Sequence, residues 1–244
     1  DELLVSQAIY KQSRKIILIA DANKFDRKAP YVLGSLSDSG FSENTNIIYL
    51  SDHGENLGAR GLWGKSVMYE ESVGIPLIMK GPDIPAGIKC QTPVSLIDLF
   101  PTILDLAGVS NYDLDFKLKG HSLLKILEEP EDLERVVLSE YHAAASKSGS
   151  FMLRDGQYKY IHYVGHPPEL YDLKDDPEEF SNLALKPGFS GVLREFEAQL
   201  NGILDPQATD RAAKADQQIL INQYGMQSFY PFLKTPTKQC VFEH

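Results

Sequence analysis

Cysteine is scarce in this chain, whose 244 residues hold only Cys90 and Cys240. Two thiols make no disulfide framework, so the fold must rest on buried apolar surface rather than covalent staples. No apolar run approaches the ~20 residues of a membrane-spanning helix, which excludes a helical span. Basic charge is in deficit as well. Twenty-four Lys and Arg stand against 34 Asp and Glu, for a net charge of −10. That balance argues against non-specific nucleic-acid binding, which depends on basic patches. Internal repeats and low-complexity tracts are also missing.

What is present is ordinary globular composition, 43% hydrophobic and 24% charged, sufficient for one large domain or two small ones. Arg14 to Ala20 (RKIILIA) reads as a buried strand or as part of a helix, because a short apolar run does not decide between them. Ile47 to Leu50 and Pro76 to Lys80 read as strands, the second closed by Gly81-Pro82. Ser95 to Gly108 predicts a helix with Leu96, Phe100, Ile103, Leu104 and Ala107 on its buried face. Asp98 is its expected N-cap, Pro101 falls in the first turn, and Gly108 stands at C′. Gly120 to Leu127 is a short helix, and the acidic run Glu128 to Glu134 a solvated linker.

From Arg135 onward strands dominate. They cover Val136–Tyr141, Ser150–Arg154 and Tyr158–Tyr163, with Asp155-Gly156 as a hairpin signal. The alternation in the last of these predicts a sheet with two differently solvated faces. Val192 to Leu204 predicts a helix burying Leu193, Phe196, Leu200, Ile203 and Leu204. A polar helix over Asp210 to Tyr224 and a Pro- and aromatic-containing tail complete the chain.

The most informative stretch is Asn46 to Glu71. Its strand ends on Asp52, His53 and Gly54, which puts a carboxylate and an imidazole where open α/β sheets bind ligands. Gly54 is expected to let the backbone turn sharply, so that the two adjacent side chains converge. Lys65 follows among Gly61, Trp63 and Gly64. Two metal-ligand side chains and a lysine suit a tetrahedral oxyanion ester.

These motifs resemble the sulfatases of the alkaline phosphatase superfamily, in particular the branch of choline-sulfatases and phosphonate monoester hydrolases. SDHGE, GLWGK, YEE and IPLIMKGP occur in the order found there, and LRDGQYKYI and ELYDLKDDPEEFSNLA extend the likeness to about Asp216. The resemblance implies an α/β fold, part of an alkaline-phosphatase-like sandwich with a smaller C-terminal antiparallel sheet plus helix subdomain. Residues 1–130 would belong to the core, 131–204 to the small subdomain, and 205–244 to a terminal helix and tail.

The same resemblance implies the chemistry. Asp52 and His53 would bind a divalent metal, Ca²⁺ first, with Mn²⁺, Mg²⁺ or Zn²⁺ as alternatives. Lys65 would be catalytic, binding the sulfate and stabilising charge on its oxygens. Trp63 would wall the substrate pocket, and His142 in EYHAA would reach its rim from a C-terminal loop. Tyr69, Glu70 and Glu71 would position the loop. Gly74 stands where family members often carry an arginine, so one supporting ion pair is expected to be absent.

The family's nucleophile is formylglycine, made from Cys or Ser in Cys/Ser-x-Pro-x-Arg. No such pattern occurs here, since Cys90 is followed by Gln91, Thr92 and Pro93. The expectation is a C-terminal half, with formylglycine and further metal ligands in an N-terminal half. The function implied is hydrolysis of a small-molecule sulfate ester. The alternatives are a phosphonate monoester hydrolase or phosphodiesterase of the same superfamily, or a non-catalytic sulfatase-like fragment. Phe229-Tyr230-Pro231-Phe232 is a candidate surface for a homo-oligomer. No signal peptide pattern is visible, and the compartment stays open between bacterial cytoplasm and periplasm.

Overall fold

The computed structural model describes residues 16–21, 38–40, 42–109, 118–143 and 146–225. The aromatic tail at 229–232 lies outside the described residues.

Ile16–Asp21 forms strand β1, which decides the alternative left open by its sequence. It pairs in parallel with β2 (Thr45–Leu50), from Ile16 opposite Thr45 to Asp21 opposite Leu50. Strand β3 (Leu77–Lys80) lies antiparallel on the other edge of β2, with Leu50 opposite Leu77. Between β2 and β3 the one-turn helix α1 (Glu70–Val73) closes the motif-bearing segment. Two further helices follow β3, α2 (Leu99–Leu106) and α3 (Leu123–Glu128). Ile48 and Leu50 of β2 bury against Leu106 of α2, with Leu77, Met79 and Leu124 packed around them.

Helix α2 departs from expectation in its orientation. Pro101, Thr102 and Leu106 are buried with Asp98, whereas Leu96 and Phe100 are exposed. Polar anchoring turns the helix. A 3₁₀ turn (Leu96–Asp98) precedes it, capped by Ser95 in a capping box whose far member is Asp98. The fully buried Asp98 carboxylate accepts from Arg135 at 2.8 and 3.0 Å and from the His121 N–H at 2.8 Å. Thr102 Oγ1 accepts from the Leu123 N–H at 2.8 Å. Each group buried unpaired would cost roughly 1–3 kcal/mol, so these bonds outrank the placement of one leucine and one phenylalanine. Gly108 ends the helix region at φ 72°, as its sequence position suggested. The acidic run 128–134 is exposed, yet it is tied to the preceding loop. Asp132 N–H donates to Thr92 Oγ1 at 2.9 Å, and Gln91 N–H to Glu131 Oε1 at 2.8 Å.

The second sheet is an antiparallel meander of β4 (Val137–Tyr141), β5 (Ser150–Arg154), β6 (Tyr158–Tyr163) and β7 (Glu169–Asp172). Asp155 closes the β5–β6 turn by accepting from Gln157 and Tyr158 N–H at 2.7 and 2.6 Å. The two faces of β6 do not differ in solvation as expected, because both are covered. One face, carrying Phe151, Leu153, Tyr160 and Leu170, packs on Phe196 and Leu200 of helix α4 (Ser190–Ile203). The other, carrying Met152, Ile161 and Tyr171, packs on Met68 and Tyr69 of the motif segment. A polar residue can read as solvent-facing in sequence when its partner is distant in the chain, and Lys159 is such a residue. Ile203, expected inside, is exposed at the end of α4.

Helix α5 (Pro206–Tyr224) begins earlier than its polar pattern suggested. Asp205 caps it, accepting from Gln207 and Ala208 N–H, and Pro206 fills the first position. Buried Asp210 anchors it to the sheet, accepting from Gly149 N–H and Lys214 Nζ, both at 2.6 Å. Burial pushes the Asp210 carboxyl up, but Lys214, Gly149 N–H and His142 together hold it below the usual aspartate value. A depressed carboxyl contributes stability that is present above its unfolded value of 3.8 and lost as pH falls through the lower folded value. Asp210→Asn is therefore expected to be less stable than the parent to urea at pH 7, with the gap closing as pH falls below 3.8. A gap independent of pH would refute the charge-based anchor.

Candidate active site

The carboxyl end of β2 delivers Asp52 and His53 to one end of an open cleft of about 830 Å³. Their side chains converge, with His53 Nε2 3.4 Å from Asp52 Oδ2. Ser51 Oγ donates to His53 O at 2.7 Å and holds the strand end. His53 Nδ1 lies 2.7 Å from Gly54 O. A carbonyl only accepts, so in the neutral ring Nδ1 carries the proton and Nε2 presents a lone pair. This is the tautomer a metal-ligating imidazole needs, oriented by a backbone carbonyl. Lys65 Nζ meets that same Nε2. The three residues singled out by the sequence therefore meet at one point.

Gly54 serves a purpose other than the sharp turn expected of it. Its φ is outside the left-handed region. A Cβ there would stand 2.0 Å from Glu71 O, and Gly54 N–H donates to Ser72 O at 2.7 Å. The end of the site strand and α1 touch backbone to backbone, which no other residue allows. Gly54→Ala is expected to cost about 1–3 kcal/mol through forced backbone displacement, read as a lower unfolding midpoint in urea. An unchanged midpoint would mean the two segments are free to part.

The loop between Gly54 and Lys65 is held from inside. Asn56 is buried, its backbone N–H donates to Gly64 O at 3.0 Å, and its Nδ2 donates to Gly64 O and, at 3.1 Å, to Ser72 Oγ. Arg60 leans over the Tyr69 ring at 4.4 Å and the Phe180 ring at 5.1 Å, and donates to Glu178 and Glu179 carbonyls. Glu70 is well supplied with cations despite Gly74. Lys159 Nζ lies 2.6 Å from its Oε1 and Arg154 NH1 3.2 Å from its Oε2. A Cβ at Gly74 would stand 2.7 Å from Glu70 O, so the small residue is itself required.

The opposite wall of the cleft is β4 and β5, through Ser139, Glu140, Tyr141 and Arg154. The Tyr141 and Ser66 hydroxyls are 2.8 Å apart, joining this wall to the lysine-bearing segment. Trp63 and His142 are not among the cleft-lining residues. Trp63 is 78% exposed on the outer loop, beside Gly58. His142 packs edge-on against Phe151 at 5.2 Å between ring centres, with its Nε2 3.4 Å from Glu140 Oε2. Tyr141, Ser66, Asn56 and Arg154 escaped sequence reasoning. Only Lys159, a lysine among the apolar residues of YKYIHY, carried a usable signal.

A two-residue donor set fits part of a coordination shell. Among the described residues no group of three or more His, Cys, Asp or Glu side chains gathers as a metal site.

Comparison with known proteins completes the picture. Residues 58–205 match the family described as N-sulphoglucosamine sulphohydrolase, C-terminal. The chain is 37% identical to arylsulfatase K of Mus musculus over 174 residues, 67% of the chain and 31% of that protein. It is 33% identical to the choline-sulfatase of Rhizobium meliloti over 216 residues, 87% of the chain and 42% of that protein. The phosphonate monoester hydrolase of Agrobacterium radiobacter superposes with a TM-score of 0.62 at 28% identity, covering 72% of the chain and 38% of that protein. The chain thus spans less than half the length of these relatives. Its α/β architecture, with one mixed and one antiparallel sheet, is that of alkaline-phosphatase-like sulfatases. Motif order, cleft and likeness agree, and the chain belongs to the sulfatases of the alkaline phosphatase superfamily, of which it carries the C-terminal part.

Proposed function

We propose that the complete protein hydrolyses a small-molecule sulfate ester, and that this chain contributes half of a metal site and the lysine that binds the sulfate. The observation that carries the reading is the meeting of the Asp52 carboxylate, the His53 Nε2 lone pair and the Lys65 ammonium at the head of one cleft. Asp52 and His53 would hold the divalent ion. Ca²⁺ is the first candidate, and the imidazole also suits Mn²⁺ or Zn²⁺. Once bound, the ion would polarise the sulfate group as a Lewis acid.

The chain's own residues do the rest. Gly54 O fixes the His53 ring. Asn56 fixes the loop, and the loop fixes Lys65. The Lys65 ammonium neutralises charge that develops on the sulfuryl oxygens, in a site already shaped for it. The nucleophile, a formylglycine, is expected outside this sequence.

A second reading, phosphonate monoester or phosphodiester hydrolysis, is favoured by the structural likeness to the Agrobacterium radiobacter enzyme. A fragment without catalysis is the third. The test is a comparison of aryl sulfate, phosphonate monoester and phosphodiester substrates with the complete protein, and of aryl sulfate with the 244-residue chain. Preference for the sulfate supports the proposal, and preference for a phosphorus ester replaces it with the second reading. No turnover by the complete protein leaves the third. Turnover by the 244-residue chain alone would refute a nucleophile outside it.

A further inference from the structure

The most unusual chemistry among the described residues outside the cleft is a buried ion pair. Lys159 and Glu179 both have side chains 0% exposed, with Lys159 Nζ 2.7 Å from Glu179 Oε1. Taking two charges out of water is costly, and such pairs are weak stabilisers compared with apolar residues of similar size. Their contacts show what the pair does instead. Lys159 Nζ also donates to Met68 O at 3.2 Å and pairs with Glu70 at 2.6 Å. Glu179 Oε2 accepts from the Glu70 N–H at 2.8 Å. Glu179 holds φ 52°, a left-handed conformation unfavourable for a non-glycine residue, so its side chain is presented at a conformational cost. The carbonyls of Glu178 and Glu179 accept from Arg60.

These contacts grip residues 60–70 from the C-terminal sheet. From there backbone links lead to the site. Glu71 O abuts Gly54, Ser72 O accepts from Gly54 N–H, and Asn56 ties Ser72 to Gly64 next to Lys65. We infer that Lys159 and Glu179 are positioning residues. They hold the segment from Gly54 to Ser72 so that Asp52, His53 and Lys65 stay converged, although neither touches the cleft's reacting end. This rests on the reading of those three residues as a sulfate site.

The test replaces the pair by apolar residues of similar length, Lys159→Met with Glu179→Met, in the 244-residue chain. Amide hydrogen exchange is then read peptide by peptide. The expected result is exchange about tenfold faster or more over residues 54–72, with β5 and β6 amides near their original rates. Unchanged protection over 54–72 in the folded variant would overturn the inference. Should that variant not fold, exchange of the original chain in rising urea decides. Opening of 54–72 together with the turn around Glu179 supports the role, and opening of 54–72 at lower urea than that turn refutes it.

In the complete protein the same variant is expected to lower kcat for aryl sulfate about tenfold or more with KM changed little. An unchanged kcat would overturn the link to the site. Absence of sulfatase turnover in the unsubstituted complete protein would instead sink the functional reading, and the exchange data would still judge the positioning role.

Discussion

Lys159→Met alone is expected to lower the unfolding free energy by about 3–5 kcal/mol. The reason is the asymmetry between removing a buried pair and breaking one. With Lys159 gone, the Glu179 carboxylate keeps its burial and loses its 2.7 Å ion partner, retaining only Arg60 at 3.5 Å, while Glu70 retains Arg154. The expected fall in Tm is roughly 2–4 °C per kcal/mol for a chain of this size. Glu179 also supplies a pH signature. Burial raises its carboxyl above the usual value of 4.5, and Lys159 opposes that rise. Removing Lys159 removes the opposition. A carboxyl raised in the folded state contributes stability below its unfolded value and loses it as pH rises through the folded one. The gap between variant and parent should therefore be widest near neutral pH and narrow as pH falls toward 4.5. Urea unfolding at a series of pH values measures this, and a loss under about 1 kcal/mol at pH 7 would show that the pocket around Glu179 admits water.

The second large effect concerns Lys65→Ala. The side chain is exposed and meets His53 Nε2, so substitution should leave stability within about 0.5 kcal/mol. Turnover is another matter. Removing one preorganised donor aimed at a developing oxyanion costs about 10²–10³ in kcat. Lys65→Arg should recover only part of the loss, because a planar guanidinium on a longer reach replaces a compact point charge. Aryl sulfate hydrolysis by the complete protein, with KM and kcat separated, measures both. Turnover equal to the unsubstituted protein would remove Lys65 from the site and leave Asp52 and His53 without a substrate-binding partner in this chain.

The two effects are opposite in kind. Lys159 is invisible from the cleft and matters to the fold. Lys65 is expected to matter little to the fold and, under the proposed function, much to the chemistry. Under the proposed function, they would describe a site whose rigidity comes from charges buried behind it.

Much of this was legible in sequence because it depends on residues near one another in the chain. The β-branched and aromatic run before Asp52 makes a strand, a strand places its end at the cleft, and Asp52, His53 and Lys65 follow within fourteen residues. Strands β4 to β6 and the helix after the meander were equally local, with Asp155-Gly156 marking the β5–β6 turn. The ordered motifs sufficed to place the chain among sulfatases.

Other features needed the tertiary structure, for a single physical reason. Periodicity reports how apolar a side chain is and says nothing about which distant group will satisfy a polar one. Helix α2 rotated because Asp98 and Thr102 found Arg135, His121 and Leu123 up to 37 residues away. Lys159 entered the core because Glu70 and Glu179 waited there. Gly54 proved necessary through the carbonyl of Glu71 pressed against it. Sequence by itself determined the family, the strand that carries the site and the three residues that converge. The folded chain decided what holds them there, since those partners are distant in sequence and are chosen by the burial of polar and charged groups and by close backbone approach.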